Sequence, residues 1–433
     1  MSDVTNLPRY AWQTKEVSEH AYDRGGIIGA DPRMGKTLTA VDNLTVVNSA
    51  ELPTLVVCPL VTRSVWQSHL HAAGMGNVLV LNYDKLKSRL KELEKLKPRF
   101  VIVDESHLIK GVSTDRSRIV RHLAQRADWV RCLSGTPAPN GWQDLWSQLS
   151  ACDVNEWGKF YGPYRDRYII CDSTYHSRVL SYRNVEELQE RLKPYLRSYR
   201  RADVFGPDSW QESICSVQLP PAARKVYDRV ATEFIDDELG IDATHTLARM
   251  TILHQLAGGW YNGCELHSAK VNQIADDACQ IMDSGERCVI FHRFEGEGAA
   301  LLHQVALRAK SRYALGRISG VTSEKARAAL IHAINNGRKP ACLIVQIASG
   351  GIGIDLSNVQ HALFASLTFS YAEYRQARDR IYKPGESRCV TNYVAERTID
   401  GMLLKVLKRK AELHNILQMY GREEIAFGNS GEA

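Results

Sequence analysis

The chain has 433 residues, of which 44% are hydrophobic and 24% charged, and its formal net charge is +6. This length fits two or three domains with cores of their own, and the composition is ordinary for a globular protein. The ten cysteines are scattered and form no C-x-x-C pair, which excludes a disulfide framework. No apolar window is long enough to span a membrane, and no signal core opens the chain. We therefore expect a soluble, intracellular, cytoplasmic protein of a phage- or bacterium-like host. Its mild basic excess permits nucleic-acid binding without requiring it.

Short apolar runs alternate with helical stretches along the chain. Three early runs have the character of buried parallel strands, at residues 54–58, 100–103 and 129–133, and residues 86–96 form an amphipathic helix. The alternation restarts late in the chain, with strands at 287–291, 341–347 and 361–365 and helices at 297–310, 323–335 and 396–419. This pattern predicts two α/β lobes, each a mainly parallel sheet flanked by helices.

The segment between the two lobes lacks this alternation and is rich in Tyr and Arg. We expect a first lobe over residues 1–150, a small helical, basic insertion with a linker over 151–208, and a second lobe with a C-terminal helix over 209–433. Three arginines of the insertion, Arg197, Arg200 and Arg201, suit either a phosphate-binding face or a latch between the lobes.

The sharpest local motif is the segment ADPRMGKT at residues 30–37, between an apolar pair and a helical stretch. A phosphate-binding loop needs a glycine, a lysine that reaches the β- and γ-phosphates, and a hydroxyl for Mg²⁺. Gly35, Lys36 and Thr37 supply these groups, while Ala30 stands where the first glycine is usual, followed by Asp31. The motif predicts a site for ATP and Mg²⁺.

Two further polar segments follow predicted strands in the order expected of an ATPase. Asp104 and Glu105 come directly after the strand at 100–103. Asp104 is the candidate Mg²⁺ ligand with Thr37, and Glu105 is the candidate general base for the attacking water. The segment Ser134-Gly-Thr-Pro follows the next strand, where small hydroxylated side chains can sense the phosphate state.

The second lobe carries candidate cations in the segment QARDRIYKPGE. Phosphoryl transfer needs a cation placed on the γ-phosphate, often from another domain. Arg380 is the candidate for that cation, and Lys383 is a second, less geometrically specific one. The glycine-rich loop at 349–356 would let the backbone approach a phosphate of ATP or of a nucleic acid.

Taken in order, these motifs resemble those of superfamily-two helicases, and within them the Swi/Snf-type DNA translocases, from about residue 7 to residue 417. Residues 182–204 look most like the minimal phage or bacterial members of the fork-remodelling, annealing-helicase branch. The resemblance implies two tandem RecA-like P-loop lobes with one ATP site between them. It also implies DNA-stimulated ATP hydrolysis that moves a monomer along duplex or branched DNA, held largely without regard to sequence.

The resemblance also implies roles for individual residues. Lys36, Asp104, Glu105 and Arg380 would be catalytic, and Ser134, Thr136 and His107 would couple nucleotide state to movement. Nucleotide contacts would come from Gln13 (to the adenine), Ala30, Asp31, Gly35, Lys36, Thr37, Gly353, Asp355, Gln376, Arg380 and Lys383. Nucleic-acid contacts would come from Arg63, Trp66, Asn82, Tyr83, His292, Arg293, Ser349 and Gly350.

Several alternatives stay open on the sequence alone. For Trp66 and Tyr83, core packing explains the residue as well as DNA contact does. The family usually has Arg where Lys383 stands, which leaves a non-catalytic, ATP-binding DNA scaffold as one rival. An RNA-dependent helicase of the same superfamily is another. A nuclease subunit is disfavoured because the chain has no extra domain with a carboxylate cluster. Strand separation, annealing and simple translocation are not distinguished, and protein partners are not indicated.

Overall fold

The computed structural model describes residues 8–47, 52–172, 179–207, 209–233, 235–236, 241–242, 246–350 and 354–420. The chain divides into two compact units, Met1–Pro207 with Lys410–Ala433, and Asp208–Arg409, which we call lobe 1 and lobe 2. Each lobe contains its own six-stranded sheet. Within the described ranges, no helix is both long enough and apolar enough to cross a membrane.

The sheet of lobe 1 is entirely parallel. The strands of this lobe are β1 Gly25–Ala30, β2 Thr54–Cys58, β3 Val78–Asn82, β4 Phe100–Asp104, β5 Trp129–Leu133, β6 Ile169–Cys171, β7 Val179–Tyr182 and β8 Leu196–Tyr199. Six of them form the sheet in the order β3-β2-β4-β5-β1-β8. Because all six run the same way, the loops that follow their carboxyl ends lie along one edge.

Helices cover both faces of this sheet. They are α1 Ala11–His20, α2 Lys36–Val46, α3 Arg63–Ala72, α4 Leu90–Leu96, α5 Asp115–Ala124, α6 Trp146–Cys152, α7 Val154–Trp157, α8 Tyr161–Tyr168, α9 Val185–Leu192 and α10 Arg201–Phe205. Successive strand residues alternate between two buried clusters, so that Ile28 packs with α1, α2 and α3, whereas Ile27 packs with α5, α6 and α9. This period of two explains why the strands are apolar throughout.

The segment between residues 151 and 208 is more than a helical insertion. It contains α7 to α10, but also an antiparallel pair of strands, β6 and β7. Strand β8 from the same segment pairs in parallel with β1 and completes the edge of the sheet. The sequence prediction missed these three strands, and it placed β8 in an insertion although its backbone belongs to the lobe-1 sheet.

Lobe 2 repeats the parallel α/β architecture. Its strands are β9 Trp210–Val217, β10 Ile235–Asp236, β11 Ile241–Asp242, β12 Trp260–Tyr261, β13 Cys264–Glu265, β14 Cys288–His292, β15 Ala314–Ile318, β16 Ala341–Gln346, β17 His361–Phe364 and β18 Arg388–Ala395. Its helices are α11 Pro221–Glu233, α12 Thr246–Gly258, α13 Ala269–Asp283, α14 Glu295–Ala309, α15 Glu324–Asn336, α16 Ile347–Gly350, α17 Tyr371–Arg378 and the first part of α18 Ile399–Tyr420. From Lys410 onward α18 belongs to lobe 1, whereas the sequence prediction assigned residues 209–433 to the second lobe as a whole. The sheet order is β15-β16-β14-β17-β18-β9, again all parallel. The prediction of two α/β lobes with parallel sheets is confirmed.

A buried ion pair fixes the edge strand β8 to the first helix of lobe 1. The guanidinium of Arg197 lies 2.9 Å from the carboxylate of Glu16, and both side chains are buried. The hydroxyl of Tyr199 donates to the same carboxylate at 2.7 Å. Arg201 is also buried, and its backbone N–H donates to Asp31 at 2.9 Å. Arg197 and Arg201 therefore belong to the interior of lobe 1 rather than to a solvent-facing phosphate site.

We expect Glu16→Ala to lower the free energy of unfolding of lobe 1 by about 3–5 kcal/mol, because it removes the nearer carboxylate from the buried Arg197 and leaves Asp23, at 3.4 Å, as the more distant one. Glu19→Ala on the same helix is the matched control. Glu19 is exposed and lies 3.8 Å from Lys15, so its removal should cost less than about 1 kcal/mol. Urea unfolding followed by circular dichroism measures both, and equal effects in the two variants would contradict this account.

Candidate functional site

The loop between β1 and α2 has the local geometry that a phosphate-binding loop requires. Gly35 precedes α2 with φ of 82°, in the left-handed region. A Cβ at this position would lie 2.7 Å from the Nε2 atom of Gln13, so only glycine fits here. The ammonium of Lys36 donates to the carbonyls of Ala30 at 2.7 Å and Asp31 at 3.1 Å. The lysine thus rests against the loop whose backbone would surround a phosphate.

Gln13 ties the first helix to this loop. Its side chain is only 2% exposed, and its amide donates to the Gly35 carbonyl at 3.2 Å and to the Thr39 hydroxyl at 3.0 Å. Its carbonyl oxygen accepts from the backbone N–H of Tyr10 at 2.8 Å. The sequence placed Gln13 at the nucleotide site, and the structure places it against the loop. Its contact with adenine stays a prediction.

Asp104 ends β4 and is held by three hydrogen bonds. Its Oδ2 atom accepts from the indole N–H of Trp66 at 2.8 Å and from the hydroxyl of Thr62 at 3.3 Å, and its Oδ1 atom accepts from the Glu105 N–H at 3.0 Å. Burial and the neighbouring Glu105 carboxylate raise the pKa of Asp104 to about 6, against the lowering effect of the Trp66 bond. Two carboxylates at one strand end give a local excess of negative charge that a cation would offset.

Glu105 has φ of 50° and ψ of 50°, a left-handed conformation that is uncommon for a residue with a side chain. Such a conformation costs free energy and persists where the surroundings impose it, commonly at functional sites. It starts the short 3₁₀ turn Ser106–Ile109.

That 3₁₀ turn links the end of β4 to the end of β5. The His107 ring lies 3.0 Å from the Ser134 hydroxyl, which also accepts from the Thr136 N–H at 3.0 Å. Burial, with Lys110 and Lys36 nearby, lowers the pKa of His107 to about 3, so its imidazole is neutral near pH 7. The structure therefore brings together all three residues predicted to couple nucleotide state to movement. Their role as a relay stays a prediction.

The donor set of lobe 1 fits Mg²⁺ shared with a nucleotide. Mg²⁺ is usually held by one or two carboxylates or hydroxyls, with substrate phosphates and water completing its shell. Thr37 at the start of α2 and Asp104 supply a hydroxyl and a carboxylate at the same sheet edge. Within the described residues, no cluster of three or more His, Cys, Asp or Glu side chains suits a metal held by protein alone.

Three of the candidate nucleotide residues of lobe 2, Gln376, Arg380 and Lys383, follow β17 and precede β18, whereas Asp355 comes before β17. Gln376 is buried in α17, and Arg380 lies in the 3₁₀ turn Asp379–Ile381, where its guanidinium is 3.4 Å from the Ile354 carbonyl. Lys383 pairs with Glu386 at 2.6 Å. Asp355 is exposed and accepts from the Ser357 N–H at 2.9 Å. Gly353 lies outside the described residues.

The candidate nucleic-acid residues fall into two groups by exposure. Four are buried within their own lobes, namely Trp66, Asn82, Tyr83 and His292. Trp66 is completely buried and Tyr83 donates to the Asp104 carbonyl at 2.6 Å, which fits the packing alternative for both residues. The four that remain candidates for strand contact are Arg63, Arg293, Ser349 and Gly350. The side chain of Ser349 and the exposure of Gly350 lie outside what the structure describes.

His292 is buried for a specific steric reason. Its ring fills the space above Gly298, where a Cβ would lie 2.2 Å from the His292 Cε1 atom. The ring also lies 3.0 Å from the Phe294 carbonyl. Burial lowers the pKa of His292 to about 4. A neutral, enclosed imidazole is a packing group, so the position of His292 does not support the predicted contact with a nucleic-acid strand.

Sequence reasoning missed the hydroxyl of Thr62 at Asp104 and a buried polar cluster in lobe 2. In that cluster the Lys270 ammonium donates to Asp400 at 2.6 Å and to the Ala365 carbonyl at 3.0 Å. The Ser366 hydroxyl donates to Glu297 at 2.5 Å. These residues are scattered over 130 positions, and none belongs to a short motif, so no sequence signal marks them.

The fold and the lobe-1 loop together define a P-loop protein with two parallel α/β lobes. A family model described as SNF2-related domain matches residues 65–259, and one described as helicase conserved C-terminal domain matches residues 272–385. The chain therefore belongs to the SNF2-related, helicase-type family.

Its curated relatives are distant and longer. The DNA annealing helicase and endonuclease ZRANB3 of Homo sapiens is 24% identical over 92% of this chain and 39% of its own length. The SWI/SNF-related matrix-associated actin-dependent regulator of chromatin subfamily A-like protein 1 of Xenopus laevis is 24% identical, over 94% of this chain and 43% of its own. The chain thus spans about two fifths of these relatives.

Two further similarities come from prokaryotes. An uncharacterized ATP-dependent helicase of Mycoplasma pneumoniae is 21% identical over 90% of this chain and 40% of its own length. Among solved structures, the Sulfolobus solfataricus SWI2/SNF2 ATPase core in complex with dsDNA aligns over 96% of this chain and 94% of its own, with 19% identity and a TM-score of 0.44.

The raised pKa of Asp104 predicts a particular pH dependence of stability. The native state keeps this proton up to about pH 6, whereas an unfolded aspartate loses it near pH 4, so the contribution of Asp104 to stability falls as the pH rises between these values. The wild type loses this contribution as the pH rises, whereas Asp104→Asn has no such proton to lose. The free energy of unfolding of Asp104→Asn minus that of the wild type should therefore increase by about 1 kcal/mol from pH 5 to pH 7.5. Urea unfolding of both proteins at the two pH values tests this, and a difference that is independent of pH would contradict it.

Proposed function

We propose that this chain is an ATP-dependent DNA translocase whose ATP hydrolysis is stimulated by duplex or branched DNA. The observation that carries the proposal is the junction at the carboxyl edge of the lobe-1 sheet. There the phosphate-binding loop, the Asp104–Glu105 pair and the segments after β2 and β3 follow strands of one parallel sheet. A motor needs this proximity of nucleotide site and strand contacts, because binding at one must alter the other.

Each residue of the lobe-1 site then has a chemical task. Lys36 leaves the carbonyls of Ala30 and Asp31 to bind the β- and γ-phosphates, and the loop N–H groups bind the same phosphates. Asp104 and Thr37 would hold Mg²⁺, which supplies charge neutralisation between the phosphates. Glu105 accepts a proton from the attacking water, aided by its position beside a second carboxylate.

Arg380 is the proposed cation for the charge that develops on the transferred phosphoryl group. Its guanidinium lies 3.4 Å from the Ile354 carbonyl, and an arginine in this position can bind an ionised phosphate oxygen with its forked donors. Lys383 supplies a second positive charge, as an ammonium point charge that is less geometrically specific than the forked guanidinium of an arginine. We therefore expect slower turnover than an arginine at this position would give.

The test of the proposed function is ATP turnover measured without nucleic acid and with single-stranded DNA, duplex DNA, four-way DNA and RNA. We expect duplex or four-way DNA to stimulate most. Lys36→Ala should lower the stimulated rate at least about a hundredfold, because it removes a cation that stabilises the transition state. The control is Lys91→Ala, an exposed lysine on α4. Stimulation by RNA alone, or a wild-type rate in Lys36→Ala, would refute the proposal.

We further infer that Trp66, Thr62 and Tyr83 transmit DNA binding to Asp104. Trp66 and Thr62 belong to the segment after β2, which also presents Arg63, and both donate to the Asp104 carboxylate. Tyr83 follows β3 and donates to the Asp104 carbonyl. A bound DNA strand that shifts either segment must therefore change the hydrogen bonds of the Asp104 carboxylate, which is proposed to hold Mg²⁺. Trp66 is thus a positioning residue rather than a DNA contact.

Trp66→Phe tests this coupling, because it keeps a buried ring but removes the N–H donor. We expect the ratio of DNA-stimulated to basal ATP turnover to fall about tenfold, since a hydrogen bond to a charged group contributes roughly 1.5–3 kcal/mol. Trp129→Phe is the control, because Trp129 stacks on Phe100 in the same sheet without touching Asp104. An unchanged ratio in Trp66→Phe, with melting temperature preserved, would refute the coupling.

A further inference from the structure

A groove along α5 of lobe 1 is unusually basic. Its volume is about 580 Å³. We call it the α5 groove and define it by the cationic and aromatic residues that line it, Arg118, Arg121, His122, Arg126, Lys159 and Phe160. None of the residues that line it is acidic.

The helix itself explains this concentration of positive charge. Ile119, Val120, Leu123 and Ala124 are buried against the sheet, so the residues between them face outward. Arg118, Arg121 and His122 recur at helical spacing and share that outward side, and Arg126 follows one turn later. The sequence RSRIVRHLAQR carries this pattern, although no short motif marks it.

Two of the guanidinium groups in the groove rest on neutral partners. Arg121 donates to the Val112 carbonyl at 2.9 Å and lies 4.4 Å above the Trp146 ring. Arg126 donates to the His122 carbonyl at 2.7 Å. A carbonyl or a ring satisfies a guanidinium donor without cancelling its charge, so both arginines keep a positive charge that can attract a polyanion.

Two other groove residues pair with carboxylates outside the lining. Arg118 lies 2.5 Å from Asp115, and the His122 ring lies 3.1 Å from Glu94. All four of these side chains are well exposed to solvent, where the Arg118–Asp115 ion pair is weak and screened by salt and the His122–Glu94 contact is a surface hydrogen bond. These pairs therefore leave the groove with a net positive charge.

An exposed aromatic ring stands beside these charges. Phe160 precedes α8 and is 71% exposed. A large apolar side chain at this exposure contributes little to folding. A cationic groove with an open aromatic face is the arrangement that binds single-stranded nucleic acid, because phosphates meet the cations and an unpaired base stacks on the ring. Duplex DNA keeps its bases stacked on one another and cannot use the ring in this way.

The α5 groove is separate from the ATP site. Helix α5 returns from the carboxyl end of β4 towards the amino end of β5, and the Asp128 N–H that follows the helix donates to the Arg99 carbonyl just before β4. Arg126, which follows the end of this helix, therefore lies towards the amino edge of the sheet, whereas the phosphate-binding loop and Asp104 lie at the carboxyl edge.

We propose that the α5 groove is a second DNA site, which holds an unpaired single strand by its phosphates and by stacking one base on Phe160. The proposal rests on the proposed function only in taking DNA as the ligand. On a branched substrate, such a site would retain a displaced strand while the carboxyl-edge site engages the duplex.

The test is equilibrium binding of a fluorescent, mixed-sequence DNA single strand of about 12 nucleotides, a length within the range of such sites, to the full chain without nucleotide. We expect Phe160→Ala to weaken binding about tenfold and Phe160→Tyr to restore it. The double variant Arg126→Ala/Lys159→Ala should make the negative slope of log K against log salt shallower by about 1.4, which is about 0.7 for each phosphate that the variant no longer neutralises.

Matched controls exist elsewhere on the surface. Tyr22 is also 71% exposed, and Arg338 and Lys339 are exposed cations in lobe 2. Tyr22→Ala and Arg338→Ala/Lys339→Ala should bind as the wild type does. Single-strand binding by the groove variants equal to that of these controls would overturn the proposal, as would an equal weakening of duplex binding in Phe160→Ala. Duplex-stimulated ATP turnover could remain intact under either result. Failure of the α5 groove proposal can therefore be distinguished from failure of the proposed function.

Discussion

The carboxylate of Asp104 is the point on which the rest of lobe 1 depends. It sits at the end of a fully buried strand, where it is costly to ionise, and it is held by Trp66, Thr62 and the Glu105 N–H. A buried carboxylate is retained against its desolvation cost only when hydrogen bonds or a cation compensate it. Here the protein supplies three donors, two of which come from the segment after β2, so the acid is both stabilised and tied to a neighbouring strand.

The parallel sheet makes this arrangement possible. Because every strand of the lobe-1 sheet runs in the same direction, the ends of β1, β2, β4 and β5 place their following loops side by side. Lys36, Thr62, Glu105 and Ser134 are far apart in sequence, yet each follows one of these strands. The hydrogen bond between His107 and Ser134 and the hydrogen bonds to Asp104 cross between neighbouring strand ends. Such cross-links let a change at one loop alter the next one.

Much of the fold could be predicted from the sequence because its central strands are short apolar runs. β4, β5, β14 and β16 were placed to within a residue or two for this reason. Several of the strands that were missed have other compositions, although β3 is itself a short apolar run that was also missed. β1 is rich in glycine, β8 contains Arg197 and Tyr199, and β9 lies at a sheet edge with most of its residues exposed. Edge strands and glycine-rich strands lack the hydrophobic signal on which strand prediction depends.

For the candidate site, residues in short motifs could be predicted from the sequence, whereas contacts between distant residues could not. Lys36, Asp104 and Glu105 lie in short motifs whose spacing carries the chemistry, and the structure brings the predicted coupling residues His107, Ser134 and Thr136 together. The bond from Trp66 to Asp104 joins residues 38 positions apart, and only the parallel pairing of β2 with β4 creates it. No local pattern distinguishes a tryptophan that faces DNA from one that donates to a buried acid.

The most direct test of the central claim is the affinity of Mn²⁺, as a stand-in for Mg²⁺, for the full chain with a non-hydrolysable ATP analogue, measured by electron paramagnetic resonance with and without duplex DNA. Thermodynamic linkage requires that DNA and metal change each other's affinity by the same factor if both act on Asp104. Our account predicts tighter Mn²⁺ binding when DNA is bound, with DNA affinity rising by an equal factor when the metal is added. Mn²⁺ affinity that does not respond to saturating DNA would contradict it.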